Sequence, residues 1–166
     1  MFLTFSASMK AGFWMLGAVF SFSLMAISGR ELGGELNSFE IMLWRSLAGI
    51  VIVLAFAWQF NTLDQIKFTH LKLHALRNIS HFFGQTLWYF AVTQVTLAQL
   101  FAFEFTAPLW VALMAPLFLK ETFTKRKFLA ICAGFSGILI IARPEASGLS
   151  IGMLAAIFCA VGFAGS

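Results

Sequence analysis

The sequence predicts an all-α, polytopic membrane helix bundle with five full transmembrane helices and a partial sixth. Of its 166 residues, 60% are apolar and only 11% are charged, whereas soluble domains have about 45–50% apolar and about 25% charged residues. The apolar residues form long runs, as membrane spans of about 20 residues require. This composition excludes a soluble enzyme, a disordered chain and a nucleic-acid-binding protein, because a small soluble domain cannot hide so much apolar surface.

The apolar runs define the predicted spans. In chain order they cover residues 11–27, 41–60, 73–95, 98–119 and 128–142, and a sixth run begins near Leu149. The third run is the least apolar, because its first half contains Arg77, Asn78, His81 and Gln85. The fifth run ends at Arg143-Pro144, since proline cannot continue a helix there.

The first run has an alternative interpretation as a secretory signal peptide. Lys10 precedes it, and residues 26–28 resemble a cleavage site with small residues. The apolar stretch is longer than the usual ~7–15 residues of a signal peptide. We therefore predict a retained transmembrane helix, which the distribution of positive charge also favours.

The distribution of Lys and Arg predicts the orientation. Two of these residues, Arg30 and Arg143, fall on one side of the predicted spans. Eight fall on the side that holds the amino terminus: Lys10, Lys67, Lys72, Arg77, Lys120, Lys125, Arg126 and Lys127. Because cytoplasmic loops are enriched in Lys and Arg, the amino terminus is predicted to be cytoplasmic.

Two charged residues, Arg45 and Glu104, lie within predicted spans. A charge at this depth costs about 2.5–3.5 kcal/mol on insertion scales. Arg45 either extends to the nearby headgroups or lines a polar cavity. Glu104 either makes a helix–helix hydrogen bond in its protonated form or lines the same cavity. Both residues are predicted at similar depth near the outer end, so we predict that they face each other as an ion pair.

Other polar and aromatic residues mark the third and fourth spans. Asn78, His81 and Gln85 share one face of a helix, where they serve either helix packing or a solute path. Trp88, Tyr89 and Trp110 either pack in the bundle or form an aromatic cavity wall. Pro108 and Pro116 each remove a backbone hydrogen bond from the fourth span, which predicts a kinked helix beside a cavity.

The sequence contains no recognised motif for binding a nucleotide phosphate or a metal ion. The chain has no Gly-rich phosphate loop and no His-Glu-x-x-His motif. Its two cysteines, Cys132 and Cys159, lie in separate apolar runs and define neither a disulfide nor a metal site. We predict no catalytic residue, no cofactor and no metal.

Short segments of the chain resemble the EamA-like permeases of the drug/metabolite transporter superfamily. The resemblance covers about residues 10–144, and each motif is weak without the others. The matching segments are LWRSLAG at 43–49, WYFAV at 88–92, APLW at 107–110, LFLKET at 117–122 and the run 134–141. One departure is Lys120, where the family usually has glycine.

The resemblance implies an architecture and a function. Such permeases consist of two five-helix repeats, the second inverted relative to the first, and use alternating access. Residues 10–144 are then one repeat, and residues 145–166 begin the next, so the chain is similar to the front half of a transporter in a bacterial cytoplasmic membrane. The implied partners are a small organic solute, the lipid bilayer and either a second repeat or a second copy. The candidate cavity residues are Arg45, His81, Gln85, Trp88, Tyr89, Glu104, Pro108 and Trp110.

Two alternatives to a permease half remain. The chain is either an inactive fragment or a short self-assembling exporter similar to small multidrug-resistance proteins. The second alternative requires a nearly even distribution of positive charge, which the chain does not have. Neither the residues nor the resemblance selects one solute.

Overall fold

A computed structural model describes residues 6–65, 69–118, 120–142 and 149–166. The described residues form α-helices and one short 3₁₀ helix, Leu63–Gln65. The α-helices are α1 (Ala7–Leu32), α2 (Ser38–Gln59), α3 (Leu71–Gln94), α4 (Leu97–Glu104), α5 (Ala107–Phe118), α6 (Lys125–Ala142) and α7 (Ile151–Ala164).

Each predicted span corresponds to helix, and the fourth consists of two helices, α4 and α5. Among the described residues, three segments are long and apolar enough to cross a membrane: Ala7–Leu32, Ser38–Gln59 and Leu97–Phe118. α3 has a polar first half and α6 begins with three basic residues, while α7 is a shorter apolar helix. The all-helical fold class is confirmed, and the number of full spans stays a prediction. Lys67 and the Arg143-Pro144 stop lie outside the described residues.

Local capping interactions fix where several helices begin. α2 and α4 each start with a capping box, formed by Asn37 with Glu40 and by Thr96 with Gln99. The Ser150 hydroxyl accepts a hydrogen bond from a backbone N–H in the first turn of α7. These caps satisfy N–H groups that have no partner inside the helix. They define the connections from α1 to α2 and from α3 to α4 as short turns.

The core of the bundle is the antiparallel pair of α3 and α7. Gly152, at the start of α7, lies against Gln94 at the end of α3. Gly162, near the other end of α7, lies against the backbone of Gly84 in α3. Small residues allow helices in a membrane to approach closely. The buried small residues of α7 are Gly152, Ala155, Ala156, Cys159, Ala160 and Gly162.

Arg30 joins the ends of α1 and α3. Its Nε donates a hydrogen bond of 2.9 Å to the Val92 carbonyl, and its Nη2 donates to the Val95 carbonyl. These carbonyls lie in the last turn of α3 or at its C-cap, where no following helical turn supplies an N–H donor for them. Arg30 therefore holds the two parallel helices together at one end of the bundle.

The outer helices present apolar side chains on most of their surface. Trp14 in α1 is 82% exposed, and many apolar side chains of α2 are also exposed. In α6, a side chain at Gly134 would collide with Leu109, whereas one at Gly137 would meet nothing. The small residues of α6 thus permit close packing along only part of that helix. The exposed apolar surface of α1 and α2 suits a lipid environment or further helices.

Candidate functional site

A cavity lined by ionisable side chains and by aromatic and other apolar groups, which we call the polar cavity, opens among α1, α2, α3, α4 and α7. Its volume is about 210 Å³. The residues that line it are Phe22, Met25, Arg45, His81, Gln85, Trp88, Tyr89, Glu104 and Phe163. The cavity therefore combines a guanidinium group, a carboxyl group, an imidazole and an amide with aromatic rings.

Six of the eight candidate residues meet in this polar cavity, and two lie elsewhere. Pro108 lines an adjoining groove that also includes Glu104 and His81. Trp110 lines a separate apolar cavity between α4, α5, α6 and α7. Asn78, from the polar face predicted for the third span, accepts a hydrogen bond from the neighbouring Arg77. The structure thus brings together the residues from α2, α3 and the end of α4.

Glu104 is hydrogen-bonded to Trp88 across the α3–α4 interface. The Trp88 indole Nε1 donates to the Glu104 Oε2 over 2.8 Å. The Trp88 and Tyr89 rings meet edge to face, with centroids 5.1 Å apart and planes at 82°, an arrangement that aromatic pairs prefer. Both rings are almost fully buried, so little of either ring is exposed to the cavity.

The predicted Arg45–Glu104 ion pair is wrong. Within the described ranges, Lys127 and Glu121 are the only side chains whose opposite charges come within 4.0 Å. Arg45 instead places its Nη1 4.0 Å from the Met25 sulfur. Equal depth in the bilayer does not fix the direction of a side chain around its helix, and Glu104 points toward α3.

The fourth span breaks beside this cavity. α4 ends at Glu104 and α5 starts at Ala107. Pro108 has no N–H to donate to the carbonyl of Glu104, four residues earlier. The Thr106 hydroxyl, which is 3% exposed, donates 2.6 Å to the Phe103 carbonyl and accepts from the Trp110 indole at 3.0 Å. The predicted interruption near Pro108 is confirmed, whereas Pro116 lies inside α5.

Sequence reasoning missed three apolar residues of the cavity wall: Phe22, Met25 and Phe163. Phe163 belongs to α7, and its ring lies 5.2 Å from the His81 ring. The His81 Nδ1 also lies 3.4 Å from the Ser166 hydroxyl. No local pattern identifies these residues, because their place depends on which helices pack together.

Apolar helices packed around a cavity with ionisable side chains are typical of a polytopic membrane protein. The chain belongs to the EamA-like transporter family, whose model matches residues 9–143. The resemblance given by the sequence motifs is thereby confirmed.

The relatives of the chain are bacterial transporters. It is 26% identical over 151 residues to an S-adenosylmethionine uptake transporter of Rickettsia bellii, a match that covers 91% of the chain and 52% of the relative. It is 31% identical over 125 residues to a riboflavin transporter of Brucella anthropi, a match that covers 75% and 44%. The chain thus spans about half the length of these curated relatives. No solved structure matches it.

Proposed function

We propose that the chain forms one wall of the solute pathway of a small-solute permease in a bacterial cytoplasmic membrane. The observation that carries the proposal is the polar cavity inside an apolar bundle. Polar and ionisable groups at membrane depth are costly and commonly mark substrate paths. The chain's membership of a transporter family supports the same conclusion.

The proposed solute is a small organic molecule with a flat ring and polar substituents. The relatives are named for S-adenosylmethionine and riboflavin, both of which contain a fused nitrogen heterocycle. The aromatic side chains that border the cavity favour stacking or edge contacts with such a ring. Arg45 and Gln85 supply hydrogen-bond donors for the polar substituents of the solute. In this proposal, the apolar wall binds the ring and the polar groups select its orientation.

The proposed mechanism is alternating access between two inverted walls. Five spans place the next repeat upside down relative to the first, and inverted repeats are a common basis of alternating access. In the proposal α7 is the first helix of that second repeat, packed antiparallel to α3. The opposite wall comes from a second repeat or from a second copy of the chain.

The proposed orientation places the amino terminus in the cytoplasm, as the Lys and Arg distribution indicates. Cysteine labelling of intact cells tests it with variants that carry Cys132→Ser. A cysteine at Glu35, in the turn between α1 and α2, is expected to react with an impermeant thiol reagent from outside. A cysteine at Asp64, after α2, is expected to react only after the cells are opened. The reverse pattern would contradict this orientation.

Equilibrium binding tests the solute site. The purified chain in lipid nanodiscs is expected to bind radiolabelled S-adenosylmethionine or riboflavin saturably. Arg45→Gln removes a charged donor worth about 1.5–3 kcal/mol, so binding is expected to weaken about ten- to hundredfold. Arg126→Gln, which removes an exposed arginine outside the cavity, serves as the matched control. Equal affinity of the two variants would contradict a role of the cavity.

Liposome uptake separates the origins of the second wall. If a second repeat supplies it, the purified chain binds solute without carrying it across the vesicle membrane. Saturable uptake above that of empty vesicles would instead favour a pair of short copies. An inactive fragment predicts neither binding nor uptake.

A further inference from the structure

Glu104 occupies an unusual place among the polar residues of the bundle. It lies at the end of α4, where the fourth span breaks. It borders the polar cavity, the groove that contains His81 and Pro108, and a third, largely apolar cavity next to α1. A single carboxyl group therefore lies at the junction of three cavities.

The groups that face Glu104 come from four neighbouring elements. α2 contributes Arg45 and α3 contributes His81 and Tyr89, all of which line the polar cavity with it. α7 contributes the Phe163 ring to the polar cavity, and its Cys159 thiol is buried. α1 contributes only apolar side chains and the Ser23 hydroxyl to the shared cavities. In the parts of the chain that the structure describes, no cationic nitrogen lies within 4.0 Å of the carboxyl.

The single hydrogen bond to Trp88 leaves this carboxyl with an uncompensated charge when it is ionised. One oxygen accepts from the indole at 2.8 Å, and an indole is neutral, so it cannot supply a counter-charge. Glu104 is only partly exposed, and a carboxylate that loses part of its hydration with no cation beside it is unfavourable. Either a proton or a positively charged group of a solute removes that cost, and each requires the same carboxylate oxygens.

We propose that Glu104 is the proton-binding site of the transport cycle and that a cationic group of the solute exchanges with this proton. When the cation approaches, the proton leaves the carboxyl oxygen for water in the cavity, and the cation becomes the counter-charge. When the cation departs, a proton from water returns. The inference rests on the proposed function, since it assigns the coupling of the same cavity.

Infrared titration of the full chain in nanodiscs tests the proton site without any solute. On acidification, each of the seven acidic side chains contributes a carbonyl stretching band when it is protonated. Subtracting the spectrum of Glu104→Gln from that of the unsubstituted chain is expected to leave one such band, which Glu35→Gln, a change in an exposed turn, should retain. Gln keeps an oxygen that accepts from Trp88, so the variant is expected to fold. A band unchanged in Glu104→Gln would overturn the proposal.

A matched pair of probes tests the exchange. Benzyltrimethylammonium carries a fixed positive charge and no ionisable proton, while benzyl alcohol shares its ring and is neutral. In weakly buffered solution at the midpoint of the infrared titration, the cation is expected to release protons from the chain, and the alcohol is not. The release should disappear in Glu104→Gln and persist in Glu35→Gln. Binding of the cation without release, or release that survives Glu104→Gln, would overturn the exchange.

The proposed function fails separately from this inference. If neither S-adenosylmethionine nor riboflavin binds the chain, the proposed solute class is contradicted, while the infrared titration and the quaternary cation still decide the role of Glu104. If these solutes bind but Glu104 neither titrates nor releases a proton, the solute site stands and the proton site is overturned.

Discussion

Replacing Gly162 by valine is expected to separate α7 from α3 and to destabilise the whole bundle. A Cβ at this position would lie 2.8 Å from both Cα and N of Gly84, and 3.1 Å from the Ser80 carbonyl oxygen. These are backbone atoms, which cannot move aside as the end of a flexible side chain can. Overpacking a well-packed interface costs about 1–3 kcal/mol, and we expect the upper part of that range.

Thermal unfolding of the purified chain in detergent measures this effect. Gly137→Val is the matched control, because Gly137 is also helical and a Cβ there meets nothing within 4 Å. Comparison with this control separates the packing cost at Gly162 from the change in stability that Gly→Val causes in any helix. Equal stability of Gly162→Val and Gly137→Val would contradict close packing of α7 on α3.

The second large effect is a coupling between Glu104 and Trp88. Glu104→Ala and Trp88→Phe each remove one partner of the 2.8 Å hydrogen bond. Their combined loss of stability is expected to be smaller than the sum by about 0.6–1.7 kcal/mol, the range from an average to a strong hydrogen bond inside a membrane bundle. Phenylalanine keeps an aromatic ring in the core, so the cycle isolates the indole N–H.

Arg45→Ala provides the comparison for this double-mutant cycle. Arg45 borders the same cavity but makes no ion pair with Glu104. Arg45→Ala and Glu104→Ala are therefore expected to show a weaker coupling than Trp88→Phe and Glu104→Ala, because the first pair shares a cavity without a direct contact. Strong coupling of Glu104 to Arg45, with additive losses for Trp88, would restore the ion pair that the sequence suggested.

The positions of the helices follow from the sequence because long apolar runs have few alternative structures in a membrane. α1, α2 and α3 lie where the runs predict, with ends that the caps at Asn37 and Thr96 adjust by a few residues. Pro108 predicts that the fourth span divides into two helices. The exact position of the break, at Phe105-Thr106, depends on hydrogen bonds of Thr106 that no local sequence pattern reveals.

The composition of the cavity was predictable within one helix and less so between helices. The spacing of His81, Gln85 and Trp88 places them on one face of α3, and all three line the cavity. Contacts between helices depend on their rotation and order, which hydropathy does not encode. This is why the sequence did not predict that the Glu104 carboxyl accepts a hydrogen bond from Trp88 instead of pairing with Arg45.

In the proposed function, the polar cavity admits water and solute within the membrane. The most direct test of this proposal is thiol accessibility in nanodiscs, in a Cys132→Ser background that leaves the buried Cys159. Gln85→Cys lies in the cavity wall, and Ile52→Cys lies on the exposed apolar surface in the middle of α2. A charged thiol reagent is expected to modify Gln85→Cys and to spare Ile52→Cys, and S-adenosylmethionine or riboflavin is expected to slow that modification. An unreactive Gln85→Cys, or modification at a rate that neither solute changes, would contradict a solute site in this cavity.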